Sequence, residues 1–178
     1  MFGLDDFIEN HAARLVVILG GAKASDKIGV LERFLPRAKR ILLGGVPANT
    51  FLRAKGLDIG KSIVDSKLLP IAKKLLSRKN IVLPVDFASH EGKLLDIGPR
   101  TIEAFSKEIA QAKTIFWNGP LGYFEHEKFR SGSEAIAKAI VRSKAFSVVG
   151  GGETTQLIHA MGLTKRIGFL STGGGAML

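Results

Sequence analysis

The sequence contains no cysteine, which excludes disulfide bonds and thiolate metal sites and agrees with a reducing compartment. Long apolar stretches are missing as well. The wholly apolar runs reach about five residues, as in Leu15 to Leu19, whereas a membrane-spanning helix needs about 20. Met1 to His11 carries Asp5, Asp6 and Glu9 and no extended apolar core, so a signal peptide is not expected. Pro/Ser-rich linkers, low-complexity tracts and self-similarity at periods of about 20–50 residues are lacking, which argues against a second domain or a solenoid. The expectation is one soluble, cytoplasmic domain over residues 1–178, with no membrane contact. A chain of 178 residues can bury about 70% of the surface its unfolded form exposes.

What is present in excess is positive charge. Lysine and arginine outnumber aspartate and glutamate 26 to 16, for a formal net charge of +10. Such a balance points to an anionic partner. The basic residues are spread over the chain, so charge alone admits a solvated basic surface or a phosphate-bearing small molecule. A nucleic-acid partner would want clustered basic residues interleaved with exposed aromatics. No such cluster exists, and no nucleic acid is expected.

Short β-rich runs alternate with segments of helical period. Leu15–Leu19, Arg40–Leu43, Ile81–Leu83, Thr114–Trp117, Phe146–Val149 and Gly168–Leu170 are continuous apolar runs, as expected of strands covered on both faces. Between them, Ile28, Leu31, Phe34 and Leu35 share one helical face. Ile102, Phe105 and Ile109 share another, and Ala135, Ile136, Ala139 and Ile140 a third. Strand–helix repetition of this kind predicts an α/β fold with a mainly parallel sheet and right-handed crossovers. Asp86 to Gly98, with Glu91-Gly92 inside it, reads as a hairpin or irregular insertion.

Glycine follows most of these strands: Gly20-Gly21, Gly44-Gly45, Asn118-Gly119-Pro120-Leu121-Gly122, Gly150-Gly151-Gly152 and Gly173-Gly174-Gly175. In an open parallel sheet such turns share the carboxyl edge, where ligands bind. A tight βα turn favours glycine for its own sake. Recurrence along one edge is better explained by a groove lined for phosphate, because glycine lets a ligand approach the amides closely. Neither G-x-x-x-x-G-K-[ST] nor G-x-G-x-x-G occurs, which disfavours a P-loop enzyme or a standard dinucleotide oxidoreductase. His11, His90, His126 and His159 show no metal-ligand spacing.

The neighbours of these turns are specific. Gly20-Gly21-Ala22-Lys23-Ala24-Ser25-Asp26-Lys27-Ile28 comes first, then Pro47-Ala48-Asn49-Thr50-Phe51-Leu52 after Gly44-Gly45. Pro84-Val85-Asp86, Leu95-Asp96-Ile97-Gly98-Pro99 and Trp117 through Glu125 follow. Gly150 through Thr154 and Ser171 through Ala176 close the series. Together, in this order and over nearly the whole chain, they resemble the nucleotide-binding half of phosphoglycerate kinase.

The resemblance implies a Rossmann-like three-layer sandwich with a six-stranded sheet that holds Mg-ADP or Mg-ATP. The intact family transfers a phosphoryl group between 1,3-bisphosphoglycerate and ADP, giving 3-phosphoglycerate and ATP. By match to its motifs, Lys23 and Lys27 contact the phosphates, with Gly151 and Gly174 beside the group in flight. Gly21, Ala22, Gly45, Asn118 and Pro120 line the nucleotide site. Glu125 takes the ribose hydroxyls. Gly150, Gly151, Gly152 and Thr154 form the phosphate turn, and Glu153 holds Mg2+. The chemistry is consistent, since lysines four apart at a strand-to-helix turn can face one charge. Amides at a helix start also bind anions, and a carboxylate on that turn suits a hard cation.

The sequence departs from the family pattern in places. Glu153 stands where aspartate is usual, lengthening the metal-ligating arm by a methylene. Leu94 occupies a position that is commonly glycine, beside the adenine slot. Val46-Pro47 replaces a more usual pair, and proline removes an amide donor. No segment matches the family's phosphoglycerate-binding half, which would have to act in cis or in trans, and the family is usually monomeric. The glycine run at Gly173–Gly175 would begin a helix in the family, and the residues after it are too few to form one, so a mobile tail is expected. Alone, the chain is expected to bind nucleotide weakly without measurable turnover. The alternative reading is a non-catalytic nucleotide- or phosphate-binding module of the same fold.

Overall fold

Every residue of Leu15–Leu19 is buried, as a strand must be when helices cover both faces of its sheet. The structure, a computed structural model, describes residues 14–171. Strands β1 (Leu15–Leu19), β2 (Arg40–Leu43), β3 (Ile81–Val82), β4 (Phe87–His90), β5 (Lys93–Ile97), β6 (Thr114–Asn118), β7 (Phe146–Gly150) and β8 (Phe169–Ser171) follow one another along the chain. The helices are α1 (Ile28–Phe34), α2 (Gly45–Ala54), α3 (Leu68–Leu75), α4 (Pro99–Ala110), α5 (Ser131–Ser143) and α6 (Gly152–Ala160). Short 3-10 turns occupy Ala24–Lys27, Glu127–Phe129 and Thr164–Arg166. The expected tail and Gly174 lie outside the described residues.

The main sheet has the order β3-β2-β1-β6-β7-β8, and all of its pairings are parallel. The chain runs outward from β1 to β3, then returns to place β6 on the other side of β1. The topological switch point, where crevices form in such sheets, therefore lies between β1 and β6. Register brings the strand ends level. Leu19 sits opposite Leu43 and Asn118, Asn118 opposite Gly150, and Gly150 opposite Ser171. The turns that follow these residues consequently share one rim.

Alternation along the strands divides the core into two layers. Leu15, Val17, Leu19, Ile41, Leu43, Phe116 and Val148 pack with α1, α2 and α3 through Leu31, Phe34, Phe51 and Leu68. Phe34 and Phe116 stack in a tilted pair with ring centroids 4.8 Å apart. Val16, Ile18, Leu42, Ile115, Trp117 and Val149 face the opposite side, against Phe105, Ile109, Ile136, Ile140 and Leu157. Truncating a side chain such as Phe34, which is fully buried, would cost about 3–5 kcal/mol.

Helices α2 and α3 were not singled out by periodicity. Each carries a proline in its first turn, Pro47 and Pro70, where the missing N–H has no intrahelical partner to lose. Pro47 thus costs α2 no hydrogen bond. Strand β3 stops at Val82 rather than Leu83, because Pro84 has no N–H with which to extend the ladder. Strand β8 is shifted one residue from the expected Gly168–Leu170.

Asp86 to Gly98 forms the β4–β5 hairpin, a separate antiparallel sheet with an irregularity between Ala88 and Ser89. It lies over the carboxyl edge of the main sheet. Lys61 N–H donates to the Gly92 carbonyl at 2.7 Å and Tyr123 N–H to the Leu95 carbonyl at 2.7 Å, while Leu94 N–H donates to Ser62 Oγ at 2.8 Å. At its base, Asp86 accepts from the amides of Arg100 (2.9 Å) and Thr101 (2.8 Å), capping α4. Burial works against the Asp86 charge. The Thr101 hydroxyl, these amides and Arg100 outweigh it and hold the carboxyl below its ordinary value.

Candidate functional site

The glycine turns of β1, β2 and β6 are bonded to one another as well as being neighbours. Gly20 N–H donates to the Asn118 carbonyl at 3.0 Å and Gly21 N–H to Pro120 at 2.7 Å. Gly45 N–H donates to Leu121 at 3.2 Å and Val46 N–H to Gly21 at 3.0 Å. Such contact leaves no room for side chains. A Cβ on Gly119, whose φ is +94°, would overlap the Gly20 carbonyl, so this position demands glycine twice over. The Gly119 carbonyl accepts from Trp117 Nε1 at 2.8 Å. Its N–H donates to Thr154 Oγ1, also at 2.8 Å, tying the β6 turn to the first turn of α6.

Between these turns and the hairpin lies a pocket of about 210 Å3. Gly21, Ala22 and Gly45 line one side, Leu94 to Ile97 another, and Pro120 to Glu125 a third. Ile63 and Phe124 add apolar surface; Asn49, Asp96, Glu125 and Glu153 bring polar groups to it. This volume falls below the roughly 300–1,000 Å3 of a typical ligand site. It can take a flat ring system, with any attached charged chain running out over the glycine rim.

Charge gathers at that rim. Lys27, at the end of the 3-10 turn after β1, donates from Nζ to Asn118 Oδ1 at 2.6 Å. Burial lowers the pKa of its ammonium, against the opposing pull of Asp26 and Glu153. Glu153 thus stands near enough for its charge to act on Lys27. A Cβ on Gly21 would stand 3.8 Å from Glu153 Oε2. Helix α6 starts at Gly152 with Gly151 at φ +91° and no side chain capping it, so its first amides present the positive end of the helix dipole to the same space. The two lysines differ. Lys27 is half-buried and anchored, whereas Lys23 is exposed at the start of the 3-10 turn.

The predicted site residues mostly converge. Gly21, Ala22, Gly45, Pro120, Glu125 and Glu153 line the pocket. Beside it Lys27 is bonded to Asn118, Thr154 is bonded to the Gly119 amide of the same turn, and Gly151 lies close enough that a Cβ there would stand 3.0 Å from Asn118 Oδ1. Gly150 ends β7 within the sheet and Gly152 opens α6. Leu94 does reach the pocket.

Asn49 and Asp96 carried no expected role, although both sit in the pocket lining and both are buried. Each lies within a matched segment, but nothing local marks its orientation. Burial is the first cause that pushes the Asp96 carboxyl up to about 6, with Glu134 adding to it against bonds from Gly132, Ile97 and Ser131.

Among the described residues no group of three or more His, Cys, Asp or Glu could hold a metal ion. Mg2+ is also commonly held through one or two carboxylates together with substrate phosphates and water, and the Glu153 carboxylate in the pocket lining is compatible with that mode. Also among the described residues, no helix is long and apolar enough to cross a membrane.

Comparison with known proteins gives this geometry a lineage. Residues 2–178 match the family model described as phosphoglycerate kinase. The phosphoglycerate kinase of Rubrobacter xylanophilus is 43% identical over 196 residues, covering 98% of this chain and 50% of that protein. That of Thermomicrobium roseum is 40% identical over 200 residues, with 98% and 51% covered. The solved structure of phosphoglycerate kinase from Coxiella burnetii superposes with a TM-score of 0.91 at 37% identity, covering 99% of this chain and 52% of that one. The chain thus spans about half the length of the curated relatives it matches. With sheet order, rim and sequence agreeing over nearly its full length, the chain belongs to the phosphoglycerate kinase family.

Proposed function

We propose that this chain is the nucleotide-binding half of a cytoplasmic, monomeric phosphoglycerate kinase that holds Mg-ADP or Mg-ATP on the carboxyl edge of its sheet. The observation that carries the reading is the meeting of Lys27, Asn118, Glu153 and the uncapped start of α6 on the rim of an apolar pocket at the switch point. The base enters between Ala22, Gly45 and Leu94, and Glu125 takes the ribose hydroxyls. The phosphates run over the glycine rim towards Gly150–Thr154, with Lys23 reaching them from solvent.

Transfer between 1,3-bisphosphoglycerate and ADP, to give 3-phosphoglycerate and ATP, spreads charge over the equatorial oxygens of a loose transition state, so positioning and electrostatics do most of the catalysis. Lys27 suits this role because its partial desolvation strengthens its pull on a phosphoryl oxygen. Asn118 fixes the lysine's direction, and the α6 amides and Gly151 hold the phosphate that accepts or releases the group. Glu153, together with the phosphates, would hold Mg2+, which would supply charge neutralisation.

In-line transfer needs donor and acceptor about 3–3.5 Å apart. Placing the phosphoglycerate falls to a second domain, in cis or in trans. The test is a coupled assay of the purified chain with Mg-ADP and 1,3-bisphosphoglycerate, with and without a phosphoglycerate-binding domain. The chain alone should show no measurable turnover and the mixture should. Failure to bind Mg-ADP would refute the reading. Binding without turnover in the mixture would leave the non-catalytic nucleotide-binding module.

A further inference from the structure

Asp96 is an acid that the transfer chemistry leaves unused, yet it is 3% exposed and lines the pocket. Its two oxygens take backbone amides from distant parts of the chain. Oδ1 accepts from Ile97 N–H at 2.9 Å within the hairpin, and Oδ2 accepts from Gly132 N–H at 2.8 Å in the first turn of α5. A longer contact from Ser131 Oγ, at 3.4 Å, also reaches Oδ2. Two glycines make room for it, because a Cβ on either Gly122 or Gly132 would overlap Asp96 Oδ1.

Gly122 opens the turn that carries Tyr123 and Glu125, and Tyr123 N–H is bonded to the Leu95 carbonyl beside Asp96. Hairpin, turn and helix thus meet on one carboxylate. We propose that Asp96 is a positioning residue for nucleotide binding, pinning the hairpin and the Gly122–Glu125 turn against the start of α5 so that the base and ribose meet a preformed wall.

The proposal rests on the nucleotide reading above. It also gives a use for a carboxylate that stands where burial opposes its charge, since neutralising it leaves a poorer acceptor for two amides. Glu134, paired with Arg130 at 3.0 Å, faces it from α5, while Lys93 belongs to the hairpin and Glu125 and His126 to the turn. With the carboxyl pushed up to about 6, acidification should loosen the wall.

The matched control is Asp86, whose two oxygens likewise take two amides, those of Arg100 and Thr101, but which does not line the pocket. Asp96→Asn and Asp86→Asn each exchange one accepting oxygen for a donor. Binding is measured with adenosine, which has no group titrating across the window used, and with Mg-ADP at neutral pH. Asp96→Asn should weaken adenosine by about tenfold, and Asp86→Asn by less than about twofold, although Asp86→Asn should lose more thermal stability at neutral pH. Wild-type affinity should fall from about pH 7 to about pH 5, and the slope should flatten in Asp96→Asn.

Amide exchange at Tyr123 and Gly132 should quicken in Asp96→Asn and not in Asp86→Asn. Equal losses from both variants, or an unchanged pH slope in Asp96→Asn, would overturn the assignment. If the wild type binds neither adenosine nor Mg-ADP, the nucleotide reading fails by itself, and unchanged exchange at Tyr123 and Gly132 would then overturn the positioning role. Should Asp96→Asn not fold, the wild-type pH profiles of binding and exchange decide: a flat profile refutes.

Discussion

Thr154→Val removes one oxygen and keeps the shape of the side chain. Thr154 is fully buried, and its Oγ1 is the acceptor for the Gly119 N–H at 2.8 Å. Valine opens no cavity, so the change isolates a single hydrogen bond. Leaving the buried Gly119 amide unpaired should cost about 1–3 kcal/mol. A chain of this size loses roughly 2–4 °C in melting midpoint per kcal/mol, which puts the expected drop at about 2–12 °C. The bond also joins the Asn118–Gly122 turn to the start of α6, the two sides of the proposed phosphate cradle. Mg-ADP affinity should therefore fall as well. Thr154→Ser keeps the acceptor and loses a methyl group. It should cost less than about 1.5 kcal/mol and spare Mg-ADP binding more than valine does. Thermal melts followed by Mg-ADP titration of both variants provide the test. A valine variant as stable and as tight-binding as the wild type would refute the reasoning.

Other positions make separate demands. Lys27→Met should abolish turnover in the complemented assay while leaving the melting midpoint nearly unchanged, because burial already opposes the Lys27 charge; Lys23→Met, at an exposed position, should do less. Gly119→Ala forces a Cβ into the Gly20 backbone at positive φ and should lose roughly 3 kcal/mol or more in denaturant unfolding. Gly29→Ala, in α1 with nothing near its Cβ, should gain about 0.5–1 kcal/mol in the same experiment. Asp86→Asn should cost about 1.5–3 kcal/mol at neutral pH. Because the Asp86 carboxyl is held below its ordinary 3.8, its contribution is present above that value and fades as pH falls through the folded pKa. The gap between variant and wild type should accordingly close in acid. Asp96 has the opposite sign. Its raised value of about 6 means that the fold loses stability from this group as pH rises from about 4 to about 6.

The sheet was legible because burial on both faces leaves its mark on every strand residue. Leu15–Leu19 and Arg40–Leu43 were bounded to the residue, and the hairpin followed from Glu91-Gly92. Helices α2 and α3 were obscured by prolines in their first turns, which local pattern reads as breaks. The rim could be foreseen, since parallel strands place their following turns on one edge. The contrast between Lys23 and Lys27 could not, because it depends on how far each is covered by turns from β6 and α6. Asp96 was hidden for a related reason. Its decisive partner, Gly132, stands 36 residues away in the chain, and no periodicity records such a bond.

The central claim is that one rim of the sheet cradles a magnesium nucleotide, and mapping amide resonances during a Mg-ADP titration tests it most directly. The account predicts saturable shifts at Gly21–Lys27, Asn118–Glu125 and Gly151–Thr154. Shifts confined to the opposite edge, around Lys39, Lys113 and Phe146, or no saturable change at all, would contradict it.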